Sequence, residues 1–383
     1  MAKVLLVDTN FASAPIYSVL KGFGYTVHVI GSNPHDTLAK SAEQYWNIDY
    51  SDTAALSDLI EKEAFDYLVP GCTDRSYKSC AAVSQGRFPG IESPNIEHGM
   101  HNKEKFRAIA EELNIPIPES QNHNSKNLDY PVIIKPVDSF SGRGITVIEN
   151  HNKRLLDSAI KLARENSATE EYLLEKFVSG ELYSHSAFLK NKRAIKNFFV
   201  KEDSTVNSFV VDTSRVIFSP PPEMQRQIIN AVEKLARYLR LKDGLIHSQF
   251  IWDGCNIYLI DRNRRIAGDL YSQLIELSTG HPYVENYVRP FLDMPYKNIE
   301  DSDTRIPIMR HTVSVSKEQN FKHISFKESL FLESWVALSS AGDRIKASPD
   351  GSVGILFARA KSQAELLTLY EATIRRQLYE VVD

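Results

Sequence analysis

The sequence predicts a parallel α/β unit, then an α+β body, then a small α+β tail. Three observations carry this. Residues 1–95 alternate short apolar strands with helices, residues 96–295 contain two hairpins with polar residues at defined positions, and after Pro290 strands return before a closing helix. The middle unit divides into halves at about 96–170 and 171–295, and the tail covers 296–383.

Val4-Leu5-Leu6-Val7 suits a first buried strand and is too short for a signal core or a membrane span. A helix from about Pro15 to Lys21 has proline at its start and Gly22 and Gly24 at its end, before a strand over Thr26–Ile30. Tyr67-Leu68-Val69 stops at Pro70-Gly71, and Thr73-Asp74 serve as N-cap residues for a helix through Val83. The loops Asp8–Ser13 and Gly71–Ser76 then fall at the carboxyl ends of strands, where open sheets bind ligands. Thr73, Asp74 and Ser76 are the candidate substrate residues there.

A charged helix, Lys103–Leu113, ends before Ile115-Pro116-Ile117-Pro118, because proline disfavours helix in the residue before it. Pro131–Pro136 reads as a buried strand bearing Lys135, and a small-residue loop returns the chain to a strand over Thr146–Ile148. Glu171–Val178 is a strand leading to a turn at Ser179-Gly180. Ile228, Val232, Leu235 and Leu239 recur at helical spacing and form a core stripe. In the tail, Ile306–Val315, Ser334–Leu338 and Val353–Phe357 read as strands and Gln363–Tyr379 as a helix. Arg310 and His311 are expected to be structural.

The chain is 42% apolar and 25% charged, as in ordinary soluble domains, and its net charge of -4 gives no attraction to polyanions. Neither nucleic acid nor a membrane is expected as a partner. Three cysteines, Cys72, Cys80 and Cys255, fit no disulfide framework or C-x-x-C pair, which favours reduced thiols and a cytoplasmic location.

The chemistry concentrates in Gln249–Arg265. Two strand-forming runs flank a tight-turn signal at Asp253-Gly254, so Asp261 and Asn263 share a face and Gln249 can lie opposite them. Three oxygen donors of low total charge suit magnesium, which keeps waters and substrate phosphates in its shell. Arg265 falls on the same face. Lys135, an ammonium ending an apolar strand, either snorkels to water or meets an anion. No P-loop and no G-x-G-x-x-G follows the first strand, but Gly142 and Gly144 let backbone amides approach a phosphate closely.

This order of parts resembles the ATP-grasp superfamily, in the branch of biotin carboxylase, the carbamoyl phosphate synthetase large subunit and the carboxylate-amine ligases. The resemblance covers residues 1–300 and implies an ATP-grasp fold with an N-terminal preATP-grasp domain, ATP and Mg2+ as cofactors, and small carboxylate and amine substrates. It implies that Lys103 and Lys135 hold ATP and that Ser139, Ser141, Gly142, Arg143 and Gly144 close over the phosphates. Glu175, Phe177 and Val178 would hold adenine, and Gln249, Asp261 and Asn263 the metal. Lys135 and Arg265 would act on the transferred phosphoryl group. The family's ribose glutamate is replaced here by Leu182, with Glu181 one residue out of register. An ATP-binding regulatory protein of the same fold, weak or inactive in catalysis, is the alternative, and a homodimer is left open.

Overall fold

The computed structural model describes residues 1–123, 125, 128–137, 142–300 and 304–383. At the N-terminus the strands Lys3–Val7, Thr26–Ile30, Gln44–Trp46 and Tyr67–Pro70 form a four-stranded parallel sheet, with Lys3–Val7 and Thr26–Ile30 in the middle. Val4 to Val7 are fully buried, as expected of a parallel strand covered on both faces. The loops after Val7 and Pro70 meet. Asp8 accepts hydrogen bonds from Thr9 N, Ser13 Oγ and Cys72 N. A Cβ on Gly71 would sit 2.2 Å from Asp8 Cβ, so glycine is what lets the loops touch.

The helices Pro94–His101 and Lys103–Glu112 follow, parted at Asn102, whose side chain caps the second by accepting from Lys105 N. A small antiparallel sheet of Thr146–Ile148, Val132–Pro136 and Tyr172–Lys176 packs Val132, Ile134 and Leu174 against Leu156, Ala159 and Ala163 of the helix Lys153–Glu165. The strand Tyr172–Lys176 thus lies with the first half of the body.

Among the described residues the large sheet has eight strands. In spatial order they are Ile257–Asn263, Gly244–Trp252, Glu181–Lys190, Arg193–Asp203, Thr213–Val216, Ile308–Val313, Gly354–Arg359 and Phe331–Ala337. All neighbours are antiparallel. The helix Pro222–Tyr238 covers one face with Ile228, Val232 and Leu235, the expected stripe. The tail keeps an apolar core of its own around Met309, Val313, Leu356 and Leu366, yet its strands continue the large sheet through the Thr213–His311 pair.

Two local expectations fail. The helix read over 363–379 ends at Ile374, because Arg376 adopts φ 58°, and Tyr379–Val382 pairs instead with His323–Phe326. The turn at Asp253-Gly254 is a longer loop, Asp253 to Asn256, in which the Asp253 carboxylate accepts from Cys255 N and Asn256 N.

Candidate functional site

The two sheets enclose a cleft of about 730 Å³, walled by Ile133, Ile145, Val147, Leu182, Phe209, Ile251 and Ile260 among others. In the strand Val132–Pro136 alternate side chains separate, so Ile134 enters the small core while Ile133 and Lys135 face the cleft. Lys135 Nζ lies 2.5 Å from Glu175 Oε2, and Arg107 contacts Glu175 Oε1. Lys103 Nζ donates to Pro136 O at 2.8 Å. Arg262 stacks on Phe106, 3.6 Å from the ring centroid, and its Nε and Nη2 have no hydrogen-bond partner among the described residues. Lys103, Arg107, Lys135 and Arg262 line one small cavity with Glu175. Burial first, then Lys103, Arg107 and Arg262, pull the Lys135 ammonium down to about 7, while Asp261 favours its charge.

The hairpin holds the other polar group. Gln249 pairs with Asp261, as the alternation predicts, and His247 pairs with Asn263; a bulge follows Gln249, leaving Ile260 without a partner in the register. Gln249 Nε2 donates to Glu202 Oε2 at 2.6 Å. Asn263 Nδ2 donates to Asp261 Oδ2 at 3.0 Å, and Asn263 Oδ1 lies 2.9 Å from His101 Nε2. His101 Nδ1 is 3.0 Å from Glu97 Oε1. Burial opposes charge on this ring, but Glu97 and Asp74 outweigh it and raise its pKa. An imidazolium there donates to Asn263 and leaves one lone pair on that oxygen.

The run Asp261–Arg265 sends side chains to alternate sides. Arg265 Nε donates to Asp74 Oδ1 at 2.7 Å, and Arg264 pairs with buried Glu92 at 3.1 Å, so both arginines tie the strand end to residues before the body helices. Asp74 therefore meets Arg265. Thr73 Oγ1 caps its helix by accepting from Ser76 N and lies 3.3 Å from Tyr50 OH. Ser76 is fully buried and bonded to Gly71 N and Val7 O, which turns it away from any ligand.

Other expected residues divide. The Glu175 carboxylate meets Lys135 and Arg107. Phe177 N donates to Pro131 O, while Val178 N has no partner among the described residues. Glu181 accepts from Tyr183 OH, and Leu182 is the one that lines the cleft. No irregularity between Glu181 and Ser184 shifts that register. Ser139 and Ser141 lie outside the described residues. Gly142 and Gly144 have φ of 68° and 73°, and a Cβ on Gly142 would sit 2.7 Å from Phe209 Cβ, so the loop end rests on the opposite wall. Arg143 pairs with Asp350 of the tail at 2.5 Å.

Four residues escaped the sequence reading. Arg107 is one helical turn beyond Lys103 and His101 one turn beyond Glu97, spacings that carry a signal. Arg262 stands in an arginine-rich run. Glu202 had none, because its neighbours depend on strand order.

For magnesium the donor set is one carboxylate, Asp261, and two amides, Gln249 and Asn263. All are hard oxygen donors, and their low charge leaves room for phosphate oxygens, so the residues fit the ion. Among the described residues no group of three His, Cys, Asp or Glu side chains forms a different metal site. None of their helices is long and apolar enough to cross a membrane.

Residues 128–273 match the ATP-grasp domain family. The chain has the ATP-grasp fold, with a matching ATP-grasp domain over those residues. It is 24% identical over 287 residues to the carbamoyl phosphate synthase large chain of Clostridium acetobutylicum, covering 70% of this chain and 26% of that one. The chain thus spans about a quarter of that relative's length. Its fold is similar to an L-amino acid ligase from Bacillus licheniformis (TM-score 0.80, 16% identity, covering 100% of this chain and 98% of that one). It is also similar to the biotin carboxylase domain of 2-oxoglutarate carboxylase from Hydrogenobacter thermophilus, solved with MgADP and bicarbonate (TM-score 0.74, 16% identity, covering 99% and 90%).

Proposed function

We propose that the chain is an ATP-dependent ligase that activates a small carboxylate as an acyl phosphate and joins it to an amine. The observation that carries this is the convergence of Lys103, Arg107, Lys135 and Arg262 at one end of an apolar cleft. Among the described residues, Glu175 pairs with Lys135 and Arg107 there. Such an excess of buried positive charge suits a polyphosphate, and the apolar walls suit a purine. Gln249, Asp261 and Asn263 would hold the magnesium, which when bound neutralises phosphate charge.

A carboxylate oxygen of the acid attacks the γ-phosphorus, the bond to the β,γ-bridging oxygen breaks, and ADP leaves. The amine nitrogen then attacks the acyl carbon, the carbon–oxygen bond to phosphate breaks, phosphate leaves, and the amine proton passes to solvent. The chain's part is electrostatic positioning. Lys103 and Lys135 orient the phosphates, and Arg265, held by Asp74, faces the developing charge.

Leu182 favours a second reading, a nucleotide-binding regulatory protein, because the cleft offers an apolar side chain at that place. The test is release of ADP and phosphate from Mg-ATP by the purified chain with pooled carboxylic acids and amines, and with Asp261→Ala as control. Release that needs one pool and vanishes in the variant is the expected result. ATP binding without release in any pool would favour the regulatory reading.

A further inference from the structure

For Gln249 to bind a cation beside Asp261, its side-chain amide has to be oriented. A glutamine amide has an oxygen that can bind a cation and an NH2 that cannot, set on one carbon and exchanged by a half-turn of the terminal torsion. A carboxylate at that position would bind whichever way it turned; a glutamine binds only if something fixes its orientation.

The geometry points to Glu202 as the positioning residue that aims the Gln249 amide oxygen at the metal, an inference that rests on the magnesium reading. Gln249 Nε2 donates to Glu202 Oε2 at 2.6 Å, so the carboxylate oxygen accepts from the amide NH2 and engages the end of the amide that cannot bind a cation. In the large sheet the strand of Gln249 lies between that of Asp261 on one side and that of Glu181–Lys190 on the other, with the strand of Glu202 next beyond. Glu202 and Asp261 therefore stand on opposite sides of Gln249. Holding Nε2 on the Glu202 side leaves Oε1 on the Asp261 side, where the ion would sit.

Glu202 is fixed for this task. It is 3% exposed. The register carries Glu202 to Ser214 and Ser214 to Arg310 on adjacent strands, so Arg310 lies on the same face, itself held by Asp269 at 3.0 Å. Burial pushes the Glu202 carboxyl up to about 7 and Asp269 adds to this, while hydrogen bonds from Ser184 and Gln249, and then that guanidinium, pull it back toward the charged form. Asn263 has a counterpart in His101, which contacts its oxygen from the other flank. Both amides of the site are thus oriented by a side chain from a remote element, Gln249 by an acceptor and Asn263 by a ring nitrogen.

The test uses the full chain with Mn2+ as probe and a non-hydrolysable ATP analogue, reading free Mn2+ by electron paramagnetic resonance. Glu202→Leu keeps the volume and removes the acceptor. It should weaken Mn2+ about 10- to 100-fold, the usual effect of losing a ligand's orienting partner, with metal-free nucleotide affinity unchanged. The same change in a Gln249→Glu background, where either oxygen can bind, should cost less than about twofold. Glu202→Gln, which accepts and donates equally, should give a smaller loss of the same sign and serves if the leucine variant fails to fold. Equal losses in both backgrounds, or none in either, would overturn the proposal. Absence of Mn2+ binding by the unaltered chain with nucleotide would instead remove the metal reading itself.

Discussion

At the metal end of the cleft each polar side chain is held by another from a distant part of the chain: Gln249 by Glu202, Asn263 by His101, Arg265 by Asp74. The opposite end is built from Ile133, Val147, Leu182, Ile251 and Ile260, which contribute apolar surface and little direction. One end is preassembled, so a change in any member is transmitted to its partners. The other is a slot whose affinity follows from area buried, about 25 cal/mol per Å², and it tolerates exchange of one aliphatic side chain for another.

The largest expected effect falls on Asp261→Ala. It removes the one carboxylate of the donor set and should lower ADP release about 1,000-fold or more, while nucleotide affinity measured without metal stays within a few-fold. Turnover surviving in this variant would break the contrast between the ends. Next comes Arg107→Leu, which strips the buried Glu175 carboxylate of one of its two cations. Removing one partner of a buried pair costs about 3–5 kcal/mol, and Lys135 remains, so a loss near the lower figure should appear in urea unfolding. An unchanged midpoint would mean that Glu175 is held by Lys135 alone.

His101→Ala should weaken Mn2+ about tenfold by releasing Asn263, and the same assay on Leu182→Ile should show no change. Equal responses would erase the distinction between ends. The smallest effect lies outside both. His185 and His311 are buried and neutral, each pushed down to about 4, chiefly by burial. The folded state then binds fewer protons than the unfolded chain at pH between about 6.5 and 4, so this stability is present above that window and lost as pH falls through it. At pH 6 the loss is less than about 1 kcal/mol per group. Thermal melting at pH 8 and pH 6 should show the drop, and His311→Gln should reduce it.

What could be read from the sequence was local. The hairpin Gly244–Asn263 and the Gln249–Asp261 pairing follow from period-two alternation, which needs no knowledge of the fold. The orientation of Glu175 was hidden because Arg107, its partner, lies on a helix before the linker, and sequence spacing does not tell which face of a strand meets which helix. Glu202 was hidden more completely, since its meeting with Gln249 requires the order of three strands in space. The tail shows the same limit: Ile308–Val313 is a strand either way, but only the sheet order shows that it pairs with Thr213–Val216 and brings Arg310 near Glu202.

The central claim, that a carboxylate attacks ATP, is tested most directly by isotope transfer. Once an acid pool supports ADP release, its members are supplied with 18O-labelled carboxylates and the released phosphate is examined by mass spectrometry. The account predicts one 18O per phosphate, carried over when the acyl phosphate is cleaved at its carbon–oxygen bond. Phosphate released without label would mean that water attacks ATP, and would contradict the ligase reading.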